Sequence, residues 1–149
     1  MRVPDPQIRA VLQIASQQVV VQNVHVPPPV TLDRFQRQCR IATRLAEWAA
    51  AQSRPVIIAG DFNATEESLP MRLFGAARLT NAFSAQGFGR GTTWIDIGPL
   101  RLLPGFRIDH ILCGGGVRPV AAQVGPSINS DHRPLFARLA LPSDRSRDF

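Results

Sequence analysis

Runs of apolar and polar residues divide the chain into elements before any other property is considered. Val19 to Val26 is rich in β-branched residues and is stopped by three consecutive prolines, which donate nothing to a sheet ladder, so a strand ending in a loop is expected. On a period of two, Val19, Val21, Asn23 and His25 share one face, and His25 stands at the strand's exit. From Thr31 to Ser53 the period lengthens: Leu32, Phe35, Cys39, Ala42, Ala46 and Ala49 recur at steps of three and four, which predicts an amphipathic helix capped by Thr31 and makes Cys39 a small buried hydrophobe. "PVIIAG" then carries no polar side chain on either face, the pattern of a strand covered on both sides. Strand, helix and strand in this order form a βαβ unit.

Beyond it, a short helix is expected from Leu69 to Ala77, with Thr65 as N-cap and Glu66 and Glu67 near its positive end. Glycine and proline punctuate Gly87 to Gly105, and "GFGRG" reads as a flexible loop. Strands follow at Thr92–Ile95, Phe106–Cys113, Val117–Val124 and Pro134–Leu141, and "SDRSRDF" closes the chain as a frayed tail. The class is α/β.

Composition narrows the function classes. With 149 residues, 44% of them hydrophobic and 19% charged, the chain is long enough for one globular domain or a large part of one. Its net charge is +6, and with lysine absent every basic side chain other than histidine is arginine. Arginine's planar fork suits phosphate, but the arginines are spread along the chain, so a phosphate-facing surface and a merely solvated basic one both fit. Cys39 and Cys113 do not make a disulfide framework or a zinc spacing. No apolar run reaches the roughly 18 residues of a membrane span, and the first residues do not read as a secretory signal, so a cytoplasmic location is expected.

Polar residues with chemical potential gather at strand ends: His25, "GDFN" at Gly60–Asn63, "RIDHI" at Arg107–Ile111 and "SDHRP" at Ser130–Pro134. Asp61 and Asn63 stand two apart, so an extended chain aims both the same way, offering a carboxylate and an amide to a water, a hard cation or a phosphate oxygen; an Asx turn is the structural alternative. Asp131 and His132 pair an oxygen ligand with a group titrating near neutrality, and Asp109 is placed to hold the His132 ring in one tautomer, unless Arg107 or Arg133 takes these carboxylates as ion pairs. His110 alternates away from Asp109 and reads as a core or surface histidine. No G-x-S-x-G elbow, dinucleotide fingerprint or P-loop occurs.

Taken in order, "NVHVPPP", "PVIIAGDFNATEES", "GTTW", "RIDHIL" and "SDHRPLFARL" resemble the endonuclease/exonuclease/phosphatase superfamily, over nearly all of the chain from Val19 onward. The resemblance implies a four-layer α/β sandwich with mixed sheets and flanking helices, of which residues 1–149 would form the C-terminal portion of a single domain. It implies a phosphoester substrate, nucleic acid among the candidates, and Mg²⁺ or Mn²⁺ as cofactor. Asp61 then corresponds to the residue that positions or deprotonates water, Asn63 to one that stabilises the transferring phosphoryl group, and His132 to the catalytic histidine held by Asp109. Asp131 and Asp61 match metal-site carboxylates, and His25 a second histidine that serves as general acid.

Members of the superfamily also carry an earlier Asn strand and a metal-binding Glu, and this chain begins after both. Glu47, Glu66 and Glu67 are not placed to replace that Glu. Three expectations follow: a fragment of a longer enzyme, a natural truncated form that only binds a polyanion or a protein, or an enzyme with fewer metal ligands.

Overall fold

A computed structural model describes residues 7–94 and 105–143. The β-rich run from Val19 lies in β2 (Gln17–His25), which pairs antiparallel with an additional strand, β1 (Arg9–Ile14). The turn between them is Ala15–Ser16, with Ala15 at φ 52°. A hairpin closed without Gly or Asn carries no sequence signal, which is why the periodicity did not predict β1.

β2, α1 (Leu32–Ala50) and β3 (Val56–Asp61) form the expected βαβ unit, with β2 and β3 parallel. Thr31 caps α1, its Oγ1 accepting from the Arg34 N–H at 3.3 Å. The buried face of α1 is Gln38, Ile41, Ala42, Leu45, Ala46 and Ala49. The stripe is thus turned by about one residue from the expected one: Leu32 is exposed and Cys39 only half-buried. The cause is Gln38, whose side chain turns inward to bond the loop after β3. Nor is β3 equally covered on its two faces. Val56 and Ile58 are buried against the helices, while Ile57 and Ala59 on the other face are half-buried.

α2 (Leu69–Ala76) begins later than a Thr65 cap would require. Ser68 is the N-cap and Pro70 lies in the first turn, where its fixed φ and missing N–H set the start. Glu66 and Glu67 therefore precede the helix, and its first turn holds no acid. Two short elements, β4 (Thr80–Asn81) and α3 (Ala82–Gln86), come next, and β5 (Asp109–Gly114) runs antiparallel to β3. β6 (Arg118–Val124) and β7 (Leu135–Ala140) pair as a second sheet. The expected strand at Thr92 is reduced to Trp94, which bridges to Phe106 and His132; Ile95 and the tail from 144 lie outside the described residues.

The five-stranded sheet is mixed, in the order β1-β2-β3-β5-β4. Val24, Val56, Ile58 and Leu112 on one face meet Ile41, Leu45 and Phe74 from α1 and α2 to form the core. Among the described residues no helix is long and apolar enough to cross a membrane.

His110 is one of the buried polar residues, 1% exposed. Its Nε2 lies 2.8 Å from the Ala64 carbonyl and its Nδ1 2.9 Å from the Asn81 amide nitrogen. A carbonyl only accepts and an amide NH₂ only donates, so the ring is neutral with its proton on Nε2. Burial pushes its pKa below the ordinary 6.5. The unfolded chain takes up a proton there more readily than the folded one, so stability falls as pH drops below 6.5. His110→Gln is expected to cost about 1–3 kcal/mol near neutral pH and to flatten the loss of stability as pH falls below 6.5. Urea unfolding at several pH values reads both; an unchanged pH slope would remove His110 as the cause.

Candidate active site

Strand register brings the polar strand ends into one row. His25 on β2 pairs with Asp61 on β3, and Asp61 pairs with Asp109 on β5. Asp109 opens its strand rather than ending it. β5 is antiparallel, so its entry falls at the sheet edge where β2 and β3 exit. Residues in one register position point to one face, and this is the half-covered face opposite α1.

His132 joins the row from the segment before β7. Its Nδ1 lies 2.8 Å from Asp109 Oδ2, so the ring donates Nδ1–H to the carboxylate and keeps Nε2 for proton exchange. Backbone contacts fix it there: His132 bridges to Trp94, and the Arg133 N–H donates to the Thr93 carbonyl at 2.8 Å. At the other end of the row, His25 Nε2 stands 3.7 Å from Asp61 Oδ2, on a side chain that is 63% exposed. A cavity of about 320 Å³ opens between Ala59, Asp109, Ile111, Ser130 and His132.

Asp61 and Asn63 meet by a turn and not by strand alternation. Asn63 is left-handed, φ 47°, and its N–H donates to Asp61 Oδ1 at 2.7 Å. Its side-chain Nδ2 donates to Asp61 Oδ2 at 3.0 Å and to the Val26 carbonyl at 2.8 Å. Both amide hydrogens are thereby engaged, and Asn63 as placed orients Asp61. Burial raises the Asp61 pKa above the ordinary carboxylate value; the Asn63 N–H opposes this, neighbouring Asp109 adds to it, and His132 and His25 oppose it.

Two further positioning residues escaped the sequence reading. Gln38, buried on α1, donates from Nε2 to the Phe62 carbonyl at 3.1 Å and to the Asn63 carbonyl at 2.8 Å, tying down the turn. Its signal was a polar residue inside an apolar helical stripe. Thr93 is fully buried, and its Oγ1 accepts the N–H groups of Ile108 and Asp109, both at 3.2 Å, which sets where β5 begins. Arg107 pairs with Glu66, not with the carboxylates of the row.

Asp131 does not join the row. It is exposed, with the Ser130 hydroxyl 3.5 Å from its carboxylate, and the charges acting on Asp61 are those of Asp109, His132 and His25. Among the described residues no three His, Cys, Asp or Glu side chains gather as a group that could hold a metal ion. Asp61 and Asp131 do not by themselves constitute a cation site. The row suits proton transfer: a carboxylate of raised basicity flanked by two imidazoles, one of them anchored by a second carboxylate.

The profile of the family described as "Endonuclease/Exonuclease/phosphatase family" matches residues 2–132. No curated protein matches the chain. Among solved structures, a functionally unknown conserved protein from Enterococcus faecalis superposes with a TM-score of 0.73 at 20% identity, over 91% of this chain and 56% of that one. An AP endonuclease from Archaeoglobus fulgidus gives 0.69 at 19% identity, over 89% and 65%. The human nocturnin catalytic domain gives 0.68 at 19%, over 91% and 53%. The chain spans about half the length of the first of these relatives.

Proposed function

The chain belongs to the endonuclease/exonuclease/phosphatase family, whose members are phosphoester hydrolases, and from that premise we propose that it hydrolyses phosphodiesters with the aid of Mg²⁺ or Mn²⁺. The observation that carries the proposal is the in-register row His25–Asp61–Asp109 joined to His132. In this reading residues 1–149 are the C-terminal portion of one domain, in keeping with their half-length match to the relatives. When bound, the cation would offset phosphate charge; on this chain Asp61 is the carboxylate of the row that would meet it, while Asp131 stands outside the row.

Proton movements follow from the residues themselves. Asp61 accepts a proton from water as the water oxygen bonds to phosphorus, and its raised basicity suits it to that task. Asn63 and Gln38 keep the receiving oxygens in place. The imidazolium form of His132, held through Nδ1–H by Asp109, donates Nε2–H to a phosphoryl oxygen and offsets developing charge there. As the ester P–O bond breaks, His25 gives its proton to the leaving oxygen. The proton on Asp61 then returns to solvent and His25 takes one up from solvent, which restores both groups.

One observation favours a second reading, a non-catalytic binder of polyanions: the described residues gather no group that could hold a metal ion. A single assay separates the two. Wild type is expected to hydrolyse bis(p-nitrophenyl) phosphate once Mn²⁺ or Mg²⁺ is added, with EDTA abolishing the rate and His132→Ala lowering it by about 10²-fold or more. A folded preparation without turnover in either cation would decide for the binder.

A further inference from the structure

Phe88 is 99% exposed, yet the loop that carries it is closely fitted. Gly89 and Gly91 take left-handed φ values of 74° and 62°. A Cβ on Gly91 would lie 2.3 Å from the Phe83 ring, and one on Gly87 2.6 Å from the Phe83 carbonyl oxygen. The loop is therefore pressed onto Phe83, itself buried with the Arg107 guanidinium 4.6 Å from its ring centre. The contact is made at Gly87 and Gly91, while nothing lies within 4 Å of a Cβ on Gly89. The backbone is thus held at Gly87 and Gly91 while the Phe88 ring faces water and lines an open cavity.

Beside Phe88 lies a cavity of about 480 Å³, bordered by Gln86, Arg90, Gln123 and Arg133. Its size is that of a small-ligand site. Arg133 borders both this cavity and the one that His132 lines, so the two cavities meet at Arg133.

We propose that this cavity takes a nucleobase next to the scissile phosphate of a single-stranded nucleic acid, with the base stacked on Phe88. Gln86 and Gln123 supply donors and acceptors for the base edge, and Arg90 a cation for the backbone phosphate. The proposal rests on the phosphodiesterase reading and adds its substrate class. Stacking on an exposed aromatic tolerates every base, because every base has a π face.

The test is fluorescence anisotropy without divalent cation, comparing a labelled oligothymidylate of about 12 nucleotides with an abasic strand of equal length. Phe88→Ala is expected to weaken oligothymidylate binding about tenfold, with abasic-strand binding and the salt dependence unchanged, and Phe88→Trp to restore it. Arg90→Ala is expected to weaken both strands and reduce the salt slope by about one charge. The proposal falls if wild type does not bind oligothymidylate, if Phe88→Ala binds it as wild type does, or if the abasic strand loses equally. Phe88-dependent binding without hydrolysis would overturn the hydrolase reading alone. Turnover of bis(p-nitrophenyl) phosphate with Phe88-independent binding would overturn the base site alone.

Discussion

Asp61→Asn is expected to lower the turnover of bis(p-nitrophenyl) phosphate by about 10²- to 10⁴-fold, the range for a positioned base, with KM changed only slightly. Asparagine keeps the shape and the oxygen that accepts the Asn63 N–H but cannot take a proton from water. The same substitution has a signature in stability. The folded pKa of Asp61 lies above 3.8, chiefly through burial, so folding takes up protons there. Stability from this group is therefore greatest at or below pH 3.8 and declines as pH rises through the raised value. The variant has no such decline, so its unfolding midpoint should vary less over that window. Steady-state rates and thermal melts against pH measure both. Full turnover in Asp61→Asn would remove it as the base, and an unchanged pH slope would remove burial as the origin of its basicity.

The largest expected loss of stability is at the preceding residue. Gly60 has φ 143°, and a Cβ there would stand 1.9 Å from the Val24 carbonyl oxygen, inside the parallel β2–β3 ladder. All three of the nearest atoms are Val24 backbone, so no flexible side chain is there to yield. Gly60→Ala is expected to destabilise by about 3 kcal/mol or more, combining overpacking with strain. This is a large share of the ~5–15 kcal/mol of an ordinary domain. Gly75→Ala is the matched control: nothing lies within 4 Å of its Cβ, and in α2 it should be neutral or stabilise by about 0.5–1 kcal/mol. Urea unfolding compares the two. Equal midpoints for Gly60→Ala and wild type would contradict the close approach of β2 to β3.

The contrast between these glycines shows what a sequence can and cannot convey. Both are single letters that follow an apolar residue, and only the neighbouring strand shows how differently a Cβ would fare at each. Periodicity located α1 and β3 because their apolar spacing is long and regular. It turned the α1 stripe by a residue because it followed apolar positions alone and passed over Gln38, an amide that the Phe62 and Asn63 carbonyls draw inward. It missed β1 because the Ala15–Ser16 turn carries no turn residue, and it placed the α2 cap at Thr65 by overlooking Pro70. His25, Asp61, Asp109 and His132 were recognisable one at a time from their motifs. That three of them occupy one register position depends on strand pairing, which no local pattern encodes. Thr93 was hidden for the same reason, since its hydroxyl serves the backbone of another strand.

Because the row draws on three strands and the segment before β7, on residues that run from 25 to 132, its parts meet only when non-local pairing is complete. A slip of one residue between β3 and either neighbour would send Asp61 to the face opposite its partners, so a misregistered chain loses the whole row at once. Partly folded molecules should then be silent rather than slow: in any preparation the observed rate would count correctly paired chains, making turnover a titration of register.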